Sequence, residues 1–171
     1  MKIFYSLICT FFYTVAFAQT DNFVNNIRGT VEQINKDKSL IKKTLESEQF
    51  LEQPADGGGQ LVGYFKNGQL VKIVEHIGLS SCVDITEYYI QDNKLIFVYT
   101  QGKEFEYVDR LASYNLNLQK VTMECRFYYQ DDKLLKSVLT GSTRCSGQPV
   151  VSWSQKYQDN YFRYSKLLIV K

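Results

Sequence analysis

The chain has 171 residues and a formal net charge of +2, with 20 Lys and Arg against 18 Asp and Glu. Charges of both signs in near balance argue against a nucleic-acid partner, which calls for a basic face. Thirteen Tyr and eleven Phe against two Pro make a composition that builds a packed core rather than a disordered chain.

Residues 1–18 read as a secretory signal peptide. Lys2 gives the charged start, Ile3 to Phe17 is an uncharged, mostly apolar run, and Val15-Ala16-Phe17-Ala18 ends in the small-x-small pattern of a cleavage site. Cleavage is expected after Ala18, with the mature chain beginning at Gln19 and residing outside the cytoplasm, secreted or periplasmic. The apolar run falls short of the roughly 20 residues a spanning helix needs, and Ser6-Leu7-Ile8 lacks the small residue a lipidated Cys9 would want beside it. No later segment resembles a membrane span. Removing 18 of the 171 residues leaves 153, the size of one ordinary domain, 19–171.

Val24, Ile27, Val31 and Ile34 recur at three- and four-residue steps, which predicts a helix over 21–36, with Asp21 placed to cap it. Residues 42–46 alternate loosely as an edge strand would, and Pro54 to Gly59 forms a loop. Tyr64-Phe65-Lys66-Asn67-Gly68-Gln69-Leu70 then opens an internal repeat. It returns as Tyr89-Ile90-Gln91-Asp92-Asn93-Lys94-Leu95 and as Tyr128-Tyr129-Gln130-Asp131-Asp132-Lys133-Leu134. Asn, Asp and Gly tolerate the left-handed backbone of tight hairpin turns, and the aromatic and β-branched flanks favour strands. Each copy predicts a hairpin, with strands near 60–66, 69–76, 83–90, 95–100, 120–129 and 134–140. Copies 25 and 39 residues apart are too irregular for a solenoid, so a meandering sheet is expected. Residues 101–119 suit either a helical turn, through Phe105, Val108 and Leu111, or a continuing strand. Val150, Trp153, Tyr157, Tyr161, Tyr164 and Leu168 form a closing helical stripe, with Pro149 suited to its first position. The predicted fold is therefore α+β: an N-terminal helix, a twisted antiparallel β-meander of about six to eight strands, and a C-terminal helix packed on the sheet.

The run from Gly58 to Ile73, and Glu87-Tyr88-Tyr89 with Leu95-Ile96-Phe97-Val98, resembles segments of exported proteins of Bacteroidetes-type bacteria. More distantly the hairpins are similar to MORN-type repeats, whose Tyr-x-x-Gly-x-Leu hairpins build a sheet ribbon. The resemblance spans about residues 42–140 and implies a repeated-hairpin sheet without implying an activity.

The candidate chemistry is sparse. His76, the single histidine, lies near Cys82 and Asp84 in sequence, a set that could serve thiol nucleophilic catalysis. The strand carboxylates Glu75, Asp84, Glu87, Glu104, Glu106, Asp109 and Glu124 could supply an acid–base pair for glycoside hydrolysis, though no pair stands out. Gly57-Gly58-Gly59 precedes a strand, not the helix N-terminus a phosphate site wants. No motif implies a metal or cofactor. Of the mature cysteines, Cys125 and Cys145 flank one hairpin and are the expected disulfide pair, in a compartment that permits one. Adjacent tyrosines in a strand face opposite ways, so Tyr88 with Tyr89, and Tyr128 with Tyr129, should each leave one ring exposed. Together with Tyr64 they form the expected binding surface. The expected function is an exported, non-enzymatic domain that binds a protein, peptide or envelope component through its sheet face or edge. The alternative is a small secreted hydrolase using strand carboxylates or the Cys82/His76 pair.

Overall fold

The computed structural model describes residues 21–169. The expected signal peptide and its cleavage site lie outside the described residues. The described residues divide into two compact units, one ending at Lys36 and the other beginning at Asp37. In the first, α1 runs over 21–36 as its apolar spacing predicts.

In the second unit, β1 (Ile41–Glu46), β2 (Gly59–Lys66), β3 (Gln69–Gly78), β4 (Cys82–Gln91), β5 (Lys94–Val108), β6 (Ser113–Gln130) and β7 (Lys133–Gly141) form one antiparallel sheet in sequential order. A short helix, α2 (Ser47–Phe50), follows β1, and α3 (Trp153–Ile169) closes the chain. The architecture is the expected α+β meander: an N-terminal helix, a twisted open sheet and a C-terminal helix laid on it.

The three repeat copies are one device used three times. Asn67-Gly68, Asp92-Asn93 and Asp131-Asp132 all have positive φ, the two-residue turn whose twist matches the flanking strands. Just before each turn the register shifts, between Tyr64 and Phe65, Tyr89 and Ile90, and Tyr128 and Tyr129. Such a bulge sharpens the strand twist. The repeat therefore encodes the turn and the bulge together.

Residues 101–119 resolve as strand. β5 continues to Val108, a 3-10 turn spans Asp109–Leu111, and left-handed Ala112 leads into β6. The period-two alternation of Glu104 to Tyr107 prevails because each strand finds a partner in the other, as Phe105 opposite Gln119 and Tyr107 opposite Tyr114. The closing helix starts at Trp153, later than Pro149 suggests, because residues 150–155 first make a turn of i→i+3 bonds, Trp153 N–H to Val150 among them.

The aromatic stripe of α3 covers one sheet face. Tyr157, Tyr161, Tyr164 and Leu168 are buried in a core with Leu61, Ile73, Tyr88, Val98 and Phe127. Tyr88 meets Tyr157 and Tyr164 edge to face at 6.2 and 5.9 Å, an arrangement that suits the ring quadrupoles. Polar tips fix the helix along its length. The Tyr161 hydroxyl donates to the Asn93 carbonyl, Gln158 to Asp132, and Lys43 reaches the Leu168 carbonyl at 2.8 Å. Two of these partners are hairpin-turn residues, so the repeat turns also seat the helix.

Candidate site between the sheet and the closing helix

Three cross-strand rows face α3. The first holds Leu45, Leu61, Glu75, Thr86, Thr100, Cys125 and Leu139. The second holds Gly63, Ile73, Tyr88, Val98 and Phe127. The third holds Gly59, Ile77, Asp84, Gly102 and Met123. Two carboxylates thus enter the core-facing side. Glu75 is directly opposite Thr86 and Ile77 directly opposite Asp84, which makes Glu75 and Asp84 diagonal neighbours, about 7–8 Å apart by strand geometry.

Between this floor and α3 lies a cavity of about 330 Å³, walled by Trp153, Tyr157 and Tyr164 and floored by Glu75, Asp84 and Thr86. The two carboxylates are treated differently. Glu75, 8% exposed, accepts from the Tyr88 hydroxyl at 2.8 Å and from the Tyr164 hydroxyl. Both phenols are held well above their ordinary pKa, by burial first and the Glu75 charge second, so they keep their protons and donate to Glu75. Asp84 has no comparable partner. Its Oδ1 is buried without a hydrogen bond, and burial raises its carboxyl above the usual range despite the opposing charge of Lys156. A buried acceptor left unmet costs about 1–3 kcal/mol, so this arrangement works against stability.

The loop after β7 forms one side of the mouth. Gly141, at φ +71°, turns the chain across the ends of β5 and β4. There Thr143 to Gly147 makes a small bridged turn. Cys145 of that turn is disulfide-bonded to Cys82 at the start of β4, with Cα atoms 6.3 Å apart. Arg144 holds Glu104 of β5 with two side-chain N–H groups and its backbone N–H. Gly102 makes the close approach feasible, since a Cβ there would sit 2.2 Å from a Thr143 methyl. Opposite, Gly57 and Gly78 lie backbone to backbone, with the Gly57 N–H bonding the Gly78 carbonyl at 3.0 Å. A Cβ on either would strike the other's main chain. The glycine run before β2 is thus explained by loop packing, and it brings Ala55 to the cavity rim.

Several sequence expectations are corrected by this geometry. The disulfide is Cys82–Cys145, and Cys125 is free and buried. Cys125 lies mid-strand between Thr100 and Leu139 under α3, whereas the loop carrying Cys145 crosses toward β4 instead of returning along β6. Burial pushes the Cys125 thiol up to about 11. With Cys82 oxidised, the Cys82/His76 nucleophile is removed. His76 is also paired with Ile85 and so faces away from Cys82 and Asp84, and burial together with Lys103 lowers its pKa.

The tyrosine surface is likewise altered. Adjacent tyrosines do face opposite ways, but Tyr88, Tyr89, Tyr128 and Tyr129 are each at most 2% exposed. Tyr88 lies in the core beneath α3, and Tyr129 donates to the Ser154 carbonyl at its start. On the other face, Lys42, Tyr64, Lys72, Tyr89, Phe97, Tyr128 and Lys136 form one row across all seven strands. Phe97 stacks on Tyr128 at 4.8 Å, and the Lys72 ammonium lies 4.8 Å from the Tyr89 ring centre. Neighbours in the row therefore enclose the rings. Tyr64 alone of the five keeps partial exposure.

Of the seven strand carboxylates, the fold brings Glu75 and Asp84 to this cavity, and Glu104 and Glu106 to a separate pocket beside Arg144. Glu124 is occupied by Tyr99 and Gln101, and Glu104 by Arg144. Sequence reasoning missed Trp153, Thr86 and Thr100 as cavity residues. The parity of β3 could have selected Glu75, which alternates with Ile73 and Ile77 on the core-facing side, whereas Asp84 lies between Cys82 and Thr86 and carries no such signal. Among the described residues no His, Cys, Asp and Glu cluster suits a metal ion, and no helix is long and apolar enough to cross a membrane. No protein-family profile, curated protein or solved structure matches the chain.

Proposed function

We propose that this chain is an exported binding domain whose ligand seat is the cavity between the sheet and α3. The observation that carries the reading is the Asp84 oxygen, buried at the cavity floor with no hydrogen-bond partner. A carboxylate buried there without a partner lowers stability, and stability sacrificed at a concave, aromatic-walled place is the mark of a site. Export is supported by the Lys2-to-Ala18 pattern, and the Cys82–Cys145 bond suits an oxidising compartment. The repeated hairpins, like those of the exported proteins they resemble, serve here as the frame on which the seat is built. A cavity of this size takes a small molecule or one residue of a peptide rather than a flat protein surface.

Trp153 is the single tryptophan of the chain and lines the cavity, so its fluorescence reports occupancy without a label. Titration with small components of an envelope extract should change Trp153 emission saturably. A spectrum indifferent to every fraction would overturn the reading.

The second reading, a hydrolase, is favoured by one observation: two carboxylates from adjacent strands face the same cavity, the minimum set for acid–base glycoside cleavage. Release of nitrophenol from a panel of nitrophenyl glycosides, abolished by Glu75→Gln, would establish it. Binding without turnover would reject it.

A further inference from the structure

The hydrogen-bond pattern of the cavity is lopsided, and the imbalance defines the chemistry that would complement it. Its floor carries two carboxylates, and neither makes a salt bridge among the described residues. The phenols of Tyr88 and Tyr164 are already committed to Glu75. Thr86 and Thr100 are hydrogen-bonded to each other at 2.9 Å. Asp84 Oδ1 makes no hydrogen bond within the protein, and a ligand donor set on the Asp84 carboxylate would supply what the fold does not. Buried charges are stable only when paired, so the donor that best completes the floor is a cation. The walls agree, because Trp153 and Tyr157 belong to the aromatic class that attracts an ammonium group, while the Tyr164 ring already carries the Arg163 guanidinium at 4.8 Å.

The helix side of the cavity has the opposite sign. Arg163 is spent on the Phe50 carbonyl and Glu52. Lys156 lines the cavity and is exposed, and it acts on Asp84 through charge without a salt bridge to it. A ligand with an ammonium at one end and an anion at the other matches both walls.

Resting on the binding reading above, we propose that the cavity takes a free α-amino acid, with its ammonium on Asp84 beside Glu75 and its carboxylate toward Lys156. The side chain then lies against Trp153 and Tyr157. Glu75, pre-set by its two phenols, keeps the floor negative without moving, and Asp84 gains the donor it lacks.

The test is Trp153 fluorescence of the purified protein titrated with free amino acids, their N-acetyl derivatives and their carboxamides. Free amino acids should bind saturably, N-acetylation should weaken binding at least tenfold, and amidation should weaken it less. A hydrogen bond to a charged group is worth about 1.5–3 kcal/mol, tenfold or more. Asp84→Asn should show the same loss while its thermal midpoint stays equal or rises, which separates lost recognition from lost folding. Lys156→Gln should weaken amino acids while leaving their carboxamides unchanged. Equal binding of N-acetyl derivatives, or unchanged binding by Asp84→Asn, overturns the proposal. If neutral sugars or N-blocked peptides perturb Trp153 and free amino acids do not, the amino-acid assignment fails and the cavity reading stands. If nothing perturbs it, both fail.

Discussion

Glu75 and Asp84 face one cavity from adjacent strands, yet only Glu75 has its charge met by donors, from Tyr88 and Tyr164. The asymmetry makes Asp84 the residue whose removal should help the fold. Asp84→Asn is expected to leave stability at neutral pH unchanged or raise it by about 1 kcal/mol, measured by denaturant unfolding. A loss of more than that amount would mean that Asp84 is satisfied in solution and that the floor has no vacancy for a ligand.

The pH dependence follows from the same groups. Asp84 has its folded pKa raised above the ordinary 3.8, so the native state binds its proton more readily than the unfolded chain. Its penalty is full above the raised value and is relieved as pH falls toward 3.8. Glu104 and Glu124, held below 4.5 by Arg144 and by Tyr99 respectively, run the other way. Their contribution is present above 4.5 and is lost as pH falls through their lowered values. Subtracting the Asp84→Asn unfolding profile from that of the wild type should isolate the Asp84 component, a wild-type disadvantage that shrinks on acidification from neutral pH. A difference that grows on acidification would contradict the assignment.

The two phenols on Glu75 should be coupled. Tyr164→Phe and Tyr88→Phe each remove a donor from a buried carboxylate, at about 1.5–3 kcal/mol. On a Glu75→Gln background each should cost visibly less, because the acceptor charge is gone. Strict additivity in the denaturant midpoints would dissolve the cluster.

The disulfide closes a long stretch of chain, with its cysteines 63 residues apart. The loop-entropy relation gives about 4 kcal/mol for such a loop, so reductant should lower the thermal midpoint markedly. In protein lacking residues 1–18, denaturing thiol titration should find one free thiol, Cys125. Three thiols would contradict the pairing. Under native conditions that thiol should resist alkylation, since it is buried and its pKa is pushed up to about 11.

Gly102→Ala tests how the cavity mouth is built. A Cβ there lies 2.2 Å from the Thr143 methyl, so the 143–147 turn must lift from β5. A cost of about 1–3 kcal/mol is expected, with the Arg144–Glu104 pair disturbed. Wild-type stability would show that the turn does not rest on β5.

The hairpins were legible in the sequence because turn chemistry is local. Asn67-Gly68, Asp92-Asn93 and Asp131-Asp132 declare their positive φ by residue type, and the aromatic spacing of 153–168 declares one buried helix face. The site was not legible because it depends on which strands become neighbours. Glu75 and Asp84 meet only through the β3–β4 register, and a list of seven carboxylates does not contain that register. The disulfide failed for the same reason. Proximity along the chain favoured Cys125, while the fold carries Cys145 over two strand ends to Cys82. The buried tyrosines reflect a third limit: alternation tells which face a ring takes, and neighbouring rows decide whether that face is open.

The central claim is that the functional surface of this protein is the cavity beneath α3, not the tyrosine row or the sheet edge. Backbone and Trp153 indole NMR shifts, recorded while a mixture of free amino acids is added, test it most directly. Saturable shifts are expected at the cavity residues alone, Glu75, Asp84, Thr86, Trp153, Lys156 and Tyr157. Shifts centred on Tyr64 and Lys72, or along β7, would contradict the claim, whereas no shifts with amino acids, neutral sugars or N-blocked peptides would reject the cavity as a site altogether.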